Sequence, residues 1–162
     1  MSTSRLSALT AVLLLCSGVA AYADDSDQYG PDITLAEAKK IAAGALKECE
    51  ANEWYMAVAV ADTHGTLVYY EKTDNTELAS AKIAIDKATS AATFKRPTGA
   101  LGNVLGSGKL YMLTVPGVVA APGGLPIYKG GKIIGAVAAS GGTGDQDEQC
   151  AKAGLAGFQV QG

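Results

Sequence analysis

One segment restricts the fold more than any other: residues 55–61 carry no charge, and Met56, Val58 and Val60 alternate there with alanines. Alternation is typical of a β-strand, and a strand that is apolar on both sides has to be covered on both faces. Turn-forming residues 62–65 and a second strand-like segment, residues 66–72, come next. This order predicts a β-hairpin whose first strand is central in a sheet.

Apolar residues at helical spacing predict a helix before this hairpin, a second after it, and a third near the end of the chain. The first begins at a capping box formed by Thr34 and Glu37. The second is capped by residues 74–76 and ends before Pro97. The third follows the glycine-rich residues 140–144. The inward-facing positions are, in chain order, Leu35, Ala38, Ile41, Ala42, Ala45, Leu46 and Cys49; Leu78, Ala81, Ile85, Ala88 and Ala92; and Cys150, Ala151, Gly154, Leu155 and Phe158.

Three further strands are predicted at residues 110–114, 125–129 and 132–139, the last two joined around Gly130 and Gly131. Residues 99–109 carry four glycines and predict one or two loose helical turns. Hairpins, rather than crossovers through helices, imply an antiparallel sheet. We therefore expect an α+β fold: an antiparallel sheet of about five strands flanked by helices.

Residues 1–23 are predicted to be a secretory signal peptide, with Arg5 followed by an apolar core and a small-x-small cleavage site ending at Ala23. The apolar core is short for a membrane span, so no stable membrane anchor is expected. Leu15 before Cys16 disfavours lipidation of that cysteine, because a small residue is required there. The protein is expected to be periplasmic or secreted after cleavage following Ala23.

The rest of the chain divides into a polar, flexible N-terminal arm, residues 24–32, and a single domain, residues 33–160. Of the 162 residues, 48% are apolar and 18% charged, which excludes a disordered chain, and a net charge of −3 excludes a nucleic-acid partner. A single histidine and three cysteines exclude the usual His₃ and Cys₄ zinc sites.

Two cysteines, Cys49 and Cys150, remain after removal of the signal peptide. In an exported protein they form either one disulfide or two unrelated buried thiols. Both lie on inward-facing helical stripes and meet if the first and last helices lie side by side, which favours a disulfide between Cys49 and Cys150.

The only imidazole, that of His64, is either an iron ligand or acid–base group, or a turn residue that tolerates positive φ. Tyrosines 69, 70, 111 and 128 lie in or beside predicted strands, where a phenol either binds ferric iron or packs across the sheet.

A small basic cluster, Lys87, Lys95 and Arg96, lies in or after the second helix and is expected near Gly123 and Gly124. It either pairs with a ligand carboxylate or forms a solvated helix end. The glycine-rich residues 140–144 do not predict phosphate binding, because Asp145, Asp147 and Glu148 follow at the start of the helix. Those carboxylates either complement the helix dipole or hold a cation.

Several segments together resemble the GlcG/HbpS-like family of small haem-binding domains, which is related to the C-terminal domain of PduO. They are WYMAVAVADTHG at 54–65, DKA at 86–88, PT at 97–98, GGLPI at 123–127, IGAV at 134–137, SGG at 140–142 and DQDE at 145–148. The resemblance spans residues 33–158. Lys72-Thr73-Asp74 stands where members often carry Arg-Met-Asp. Axial haem ligands differ across the family, so none transfers to this sequence.

The resemblance implies helix–sheet–helix layers like those of profilin, haem as a possible cofactor, and a homo-oligomer between dimer and octamer. We predict ligand contacts by Lys87, Arg96, Tyr111, Gly123, Gly124 and Pro126, and His64, as the only imidazole, is the candidate axial ligand of the iron. We expect an exported module that binds haem or another tetrapyrrole for sensing, carriage or scavenging. The apolar loop 115–121, with Gly123 and Gly124, is expected to offer a flat, uncharged surface to the porphyrin or to a neighbouring subunit. The alternatives are an enzyme of the same fold, which degrades haem or transforms a small molecule, and a non-catalytic oligomeric scaffold whose interface is the apolar loop 115–121.

Overall fold

A computed structural model describes residues 28–159. These residues form four α-helices, one 3₁₀ helix and a four-stranded antiparallel sheet with the order β2-β1-β4-β3. Helices α1 and α4 cover one face of the sheet and α2 covers the other. The elements are α1 (Leu35–Ala51), β1 (Ala57–Ala61), β2 (Leu67–Lys72), α2 (Ser80–Phe94), α3 (Thr98–Gly106), the 3₁₀ helix (Leu110–Thr114), β3 (Gly124–Lys129), β4 (Lys132–Ser140) and α4 (Gly144–Gln159).

The α+β prediction is confirmed, with four strands rather than about five. Residues 110–114, predicted as a strand, form the 3₁₀ helix, and Leu110, Tyr111 and Leu113 are exposed there. A short apolar run does not distinguish a strand from a helical turn by its pattern alone. Here the run lies in the surface connection between α3 and β3.

Strand β1 is one of the two inner strands of the sheet, as its double-sided apolar pattern predicts. It pairs with β2 on one side and β4 on the other, and all five of its residues are buried. Val58 and Val60 join the core under α1 and α4, whereas Ala57, Ala59 and Ala61 pack under α2. The two faces of one strand thus line two separate layers of core.

Helices α1 and α4 lie side by side because each presents a glycine to the other. A Cβ on Gly44 would lie 3.2 Å from the Cα of Gly154. The close approach brings Cys49 and Cys150 together in a disulfide with a Cα–Cα distance of 5.6 Å, which confirms the predicted pairing. The capping box of Thr34 and Glu37 is present at the start of α1.

Two helical details differ from the predictions. Leu35, assigned to the inward face of α1, is exposed because it lies in the first turn, beyond the edge of the core. Helix α2 begins at Ser80 rather than directly after residues 74–76, and Leu78 is 93% exposed in the turn before it. The hydroxyl of Thr76 does not cap the helix; it donates to the carbonyl oxygens of Met56 and Thr73 instead.

Residues 28–33, which include the end of the predicted arm, are hydrogen-bonded to the start of β4, at Ile133 and Ile134. Strand β1 pairs only with the later residues of β4, from Ala136 to Ser140. The amide of Gly30 donates to the carbonyl of Ile133 at 2.8 Å, and the amide of Ile133 donates to the carbonyl of Gln28 at 2.9 Å. The predicted signal peptide and residues 24–27 lie outside the described residues. Within residues 28–159, no helix is both long and apolar enough to cross a membrane.

The sheet has β2 and β3 at its two edges. Pro126, one of the predicted ligand contacts, is buried in β3 opposite Ala136 of β4. Proline is accommodated in an edge strand because it has no amide hydrogen to donate to a further strand. Gly130 and Gly131 form the turn between β3 and β4, both at positive φ, as the hairpin prediction requires.

Candidate functional site

An ion pair is buried between α2 and α4. The Nζ of Lys87 lies 2.6 Å from Oδ2 of Asp147, and the two side chains are 3% and 4% exposed. Lys87 also donates to the carbonyl of Ala139 at 3.3 Å, while Oδ1 of Asp147 accepts from the amide of Gly142 at 3.0 Å. These contacts compensate the desolvation of both charges and tie α2, the end of β4 and the start of α4 together.

The two predicted ligand-binding glycines surround this pair. Gly123, at a φ of 119°, is buried, and a Cβ there would lie 2.9 Å from Nζ of Lys87. A Cβ on Gly124 would lie 2.7 Å from the carbonyl oxygen of Lys87. The hydroxyl of Thr98 accepts from the amide of Gly124 at 2.9 Å. The glycines allow the backbone of β3 to approach α2, and the ammonium group of Lys87 already binds Asp147.

From the sequence, Asp147 was expected either to complement the helix dipole or to hold a cation, and its pairing with Lys87 was not predicted. The available signal was its spacing, because Asp147 lies three residues before Cys150 and therefore on the inward stripe of α4. A carboxylate on a buried stripe requires a cation, and Lys87 lies among alanines on the buried face of α2. Arg96, by contrast, is exposed and its Nε donates to the carbonyl of Phe94 at 3.2 Å.

An exposed apolar face lies on the 3₁₀ helix. We use "apolar face" for Leu110, Tyr111 and Leu113, whose exposures are 65%, 59% and 70%. Lys109, also exposed, immediately precedes them. Three large apolar or aromatic side chains exposed within four positions, next to an exposed lysine, are unusual on a small domain unless something binds there.

The loop that follows the apolar face, residues 115–121, is held against α2 and α3. The amide of Val119 donates to the hydroxyl of Ser90 at 3.0 Å. A Cβ on Gly102 of α3 would lie 2.8 Å from the carbonyl oxygen of Ala120, so α3 and the loop are in close contact. Its valines and alanines are half-buried, and the more exposed apolar surface is that of the 3₁₀ helix.

His64 lies in the turn between β1 and β2, and its side chain is 78% exposed. Its Nδ1 is 3.7 Å from Oδ1 of Asp32, and its amide donates to Oδ1 of Asp62 at 2.9 Å. Hydrogen bonds from the hydroxyl and the amide of Thr63 lower the pKa of Asp32. Ligating atoms of Asp32, Asp62 and His64 all lie within 4.8 Å of one another. The Asp62 carboxylate also accepts from the amide of Thr66 and so stabilises the turn.

Haem, which the resemblance implies, needs an apolar surface for its macrocycle, cations for its propionates and, in many proteins, an axial donor. The apolar face meets these needs: Leu110 and Leu113 offer apolar surface, Tyr111 a phenol oxygen and Lys109 an ammonium group. The side chains present therefore fit the group. His64 offers an imidazole but lies in a polar turn between two carboxylates.

The described residues thus form a small helix–sheet–helix domain around a four-stranded antiparallel sheet. The family model described as "Haem degrading protein HbpS-like" matches residues 33–156. The chain belongs to the HbpS-like family. Protein GlcG of Escherichia coli (strain K12) is 37% identical over 103 residues, which cover 64% of this chain and 77% of that protein. An uncharacterized 15.0 kDa protein of Citrobacter freundii is 35% identical over 129 residues, covering 76% and 89%.

Solved structures agree with this assignment. The Klebsiella pneumoniae protein ORFY superposes with a TM-score of 0.75 at 29% identity, covering 83% of this chain and 96% of its own. A double mutant of Streptomyces reticuli HbpS superposes with a TM-score of 0.74 at 26% identity, covering 100% and 99%. A complex of PduOC with haem superposes with a TM-score of 0.71 at 25% identity, covering 78% and 94%.

Proposed function

We propose that this protein binds haem or a closely related tetrapyrrole at the apolar face. The observation that carries the proposal is the exposure of Leu110, Tyr111 and Leu113 together, in a family in which PduOC is solved in complex with haem.

Each side chain of the face has a distinct role in this proposal. Leu110 and Leu113 lose their contact with water when the macrocycle covers them, which supplies the main driving force. Lys109 pairs with a propionate, and the phenol oxygen of Tyr111 donates electron density to the metal. Bound haem would supply an iron that exchanges electrons and takes up small ligands.

A hemin titration of the purified protein, without its signal peptide, tests the proposal. We expect a shifted Soret band that saturates at micromolar hemin. Leu113→Asp should weaken binding by about tenfold or more, because it places a carboxylate against the macrocycle. The matched control is Leu78→Asp, since Leu78 is 93% exposed and lies outside the face. A titration without a shifted band, or equal weakening by both substitutions, would refute the proposal.

The axial donor is tested by two substitutions. Tyr111→Phe removes the phenol oxygen and keeps the ring, so the Soret and charge-transfer bands should shift while apolar binding persists. His64→Ala should leave the spectrum unchanged. The opposite result, an unchanged spectrum in Tyr111→Phe and a shift in His64→Ala, would assign the iron to the turn between β1 and β2.

We further propose that the protein works outside the cytoplasm, in sensing, carriage or scavenging. The signal-like residues 1–23 support this, and so does the disulfide between Cys49 and Cys150, because such bonds persist in oxidising compartments. Cell fractionation followed by mass measurement should find a chain that begins at Asp24. Recovery of the uncleaved chain from the cytoplasm would contradict the proposal.

The description of the matching family model as haem degrading favours a second function, oxidative turnover of bound haem. Incubation of the haem-loaded protein with oxygen and a reductant, with catalase present, distinguishes the two. A stable Soret band supports carriage or sensing, and a band that decays at a protein-dependent rate identifies an enzyme.

We also propose that the chain forms a homo-oligomer, with the loop 115–121 at or near the interface. The half-buried valines of this loop support the proposal. Light scattering should give a mass of at least a dimer, and Val118→Asp should lower it. A monomeric wild type would refute self-association, and an unchanged oligomer in Val118→Asp would exclude this loop from the interface.

A further inference from the structure

A concave site separate from the apolar face lies where the C-terminal end of α1 meets the entry to β1 and the exit from β2. It is a cavity of about 490 Å³, a size typical of sites for small molecules. None of its residues belongs to the apolar face or surrounds the buried ion pair. It is lined by Glu50, Glu53, Trp54, Tyr55, Thr73 and Asp74.

The cavity is strongly negative. Glu50, Glu53 and Asp74 contribute three carboxylates, and its lining includes no lysine or arginine. In the part of the chain that the structure describes, none of the three forms an ion pair. The last turn of α1 contains no basic residue, so the partial negative charge of the helix terminus adds to theirs. A cation in the cavity would offset this accumulation of charge.

Two aromatic side chains, those of Trp54 and Tyr55, complete the lining of the cavity. Tyr55 is 55% exposed, and Trp54 is partly buried with one part packed against the core under α1. The faces of indole and phenol rings attract ammonium groups, most strongly where carboxylates are also close. An inorganic cation would use the carboxylates alone, whereas an organic ammonium ion would use the carboxylates and the rings.

The remaining polar group of the lining is not available for recognition. The hydroxyl of Thr73 accepts from the amide of Met56 at 3.0 Å and contacts the hydroxyl of Thr76 at 3.1 Å. It therefore holds the loop after β2 against the start of β1. Selectivity in the cavity rests on charge and on the aromatic rings, rather than on neutral hydrogen-bonding groups.

We propose that this cavity binds a small organic cation whose charge is a protonated amine or a quaternary ammonium group. The ammonium group lies among the carboxylates of Glu50, Glu53 and Asp74, and its carbon substituents contact Trp54 and Tyr55. The cavity and the apolar face share no residue, so a cation in the cavity does not occupy the proposed tetrapyrrole site.

The chain contains a single tryptophan, and it lines the cavity, so intrinsic fluorescence reports this site directly. The mature protein is titrated with choline and with spermidine as probes, and with 3,3-dimethylbutan-1-ol as the uncharged isostere of choline. At least one cationic probe should change the emission of Trp54 saturably, while the alcohol should not at the same concentrations. Mg²⁺ should not compete with that probe at equal concentration.

Variants then assign the response to the cavity. Glu53→Gln combined with Asp74→Asn should raise the Kd of the responsive probe by about tenfold or more, and Tyr55→Ala should raise it severalfold. The matched control is Asp145→Asn, because Asp145 is exposed and lies outside the cavity. The proposal is overturned if neither cation gives a saturable change, if the alcohol acts equally, if Mg²⁺ displaces the probe, or if Asp145→Asn weakens binding as much.

Failure of this proposal leaves the haem proposal intact, and the reverse also holds. The substitutions in the cavity should not alter the hemin titration, and Leu113→Asp should not alter the response of Trp54. A protein that responds to choline but gives no Soret shift retains this site and loses the proposed function.

Discussion

The two faces of the sheet are packed in different ways. Under α1 and α4 the core contains branched and long side chains, among them Ile41, Met56, Val58 and Ile127, together with the disulfide. Under α2 every buried residue of the two apolar clusters is an alanine. The same sheet is therefore stabilised on one face by large apolar side chains and on the other by a helix lying close to the strands.

Close approach on the α2 face has a physical cost that the sequence compensates. Alanine buries little apolar area, so this layer gains less from the hydrophobic effect than the layer opposite. In exchange the backbones come near one another, as the position of Gly124 against the carbonyl of Lys87 shows. The buried pair of Lys87 and Asp147 adds a polar connection from this layer to α4 on the opposite face. The layer under α1 and α4 is stabilised by buried apolar area and a disulfide. The layer under α2, called the alanine layer below, is stabilised by close backbone packing and an ion pair.

Removal of the disulfide tests the covalent contribution to the layer under α1 and α4, called the bulky layer below. It should have the largest effect on the free energy of unfolding. The bond closes a loop of 101 residues in sequence separation. Replacement of both Cys49 and Cys150 by alanine should lower the free energy of unfolding by about 4–5 kcal/mol in the chain-entropy account. Urea denaturation gives the value, with the reduced wild type as control. A loss below about 1 kcal/mol would show that this layer does not depend on the bond.

Disruption of the ion pair tests the α2 layer. Lys87→Met leaves the carboxylate of Asp147 buried without its cation and should cost about 3–5 kcal/mol. The double variant Lys87→Met with Asp147→Leu should recover a large part of that loss, because no isolated charge remains. Urea denaturation of both variants measures this coupling. Equal destabilisation of the single and the double variant would show that packing, rather than charge, holds this layer.

A pair of substitutions in β1 compares the layers directly. Val60→Ala removes volume from the bulky layer and should cost about 1–3 kcal/mol, whereas Ala59→Leu adds volume to the alanine layer and should cost a similar amount by overpacking. Thermal unfolding ranks them, with Ala59→Gly as a control that adds no volume. Stabilisation by Ala59→Leu would show that the alanine layer contains unfilled space.

The smallest effect concerns the start of α1. The ammonium of Lys129 and then the amide of Thr34 lower the pKa of Glu37 to about 2 from an ordinary 4.5. Its stabilising contribution is therefore complete above pH 4.5 and is lost as the pH falls towards 2. We expect the wild type to lose about 1 kcal/mol more than Glu37→Gln between pH 6 and pH 2.5. Parallel pH profiles for the two proteins would contradict this.

Features with a local or periodic signal could be predicted from the sequence. The capping box, both hairpins and the inward positions of Cys49 and Cys150 follow from residue types at short spacing. The alternation of valine and alanine in β1 even predicted that both faces are covered. Each of these depends on neighbours within a few positions, which the sequence displays directly.

Features that depend on distant partners could not be predicted in the same way. The pairing of Lys87 with Asp147 joins residues 60 positions apart, and the acidic start of α4 had a sufficient local explanation. The 3₁₀ helix at Leu110–Thr114 was predicted as a strand from its short apolar run. That prediction was wrong because a strand also needs a partner strand, which such a run does not reveal. The cavity at the end of α1 depends on Asp74, which the topology of the sheet brings to Glu50 and Glu53.

The edges of the sheet have a consequence for how copies of this domain associate. A strand added to β3 would find no amide donor at Pro126, and β2 ends in the exposed charges of Glu71 and Lys72. Growth of the sheet from one molecule into the next is therefore disfavoured at both ends. Such a domain has little tendency towards fibril formation even at high concentration, and its assemblies have to be built through helices and loops.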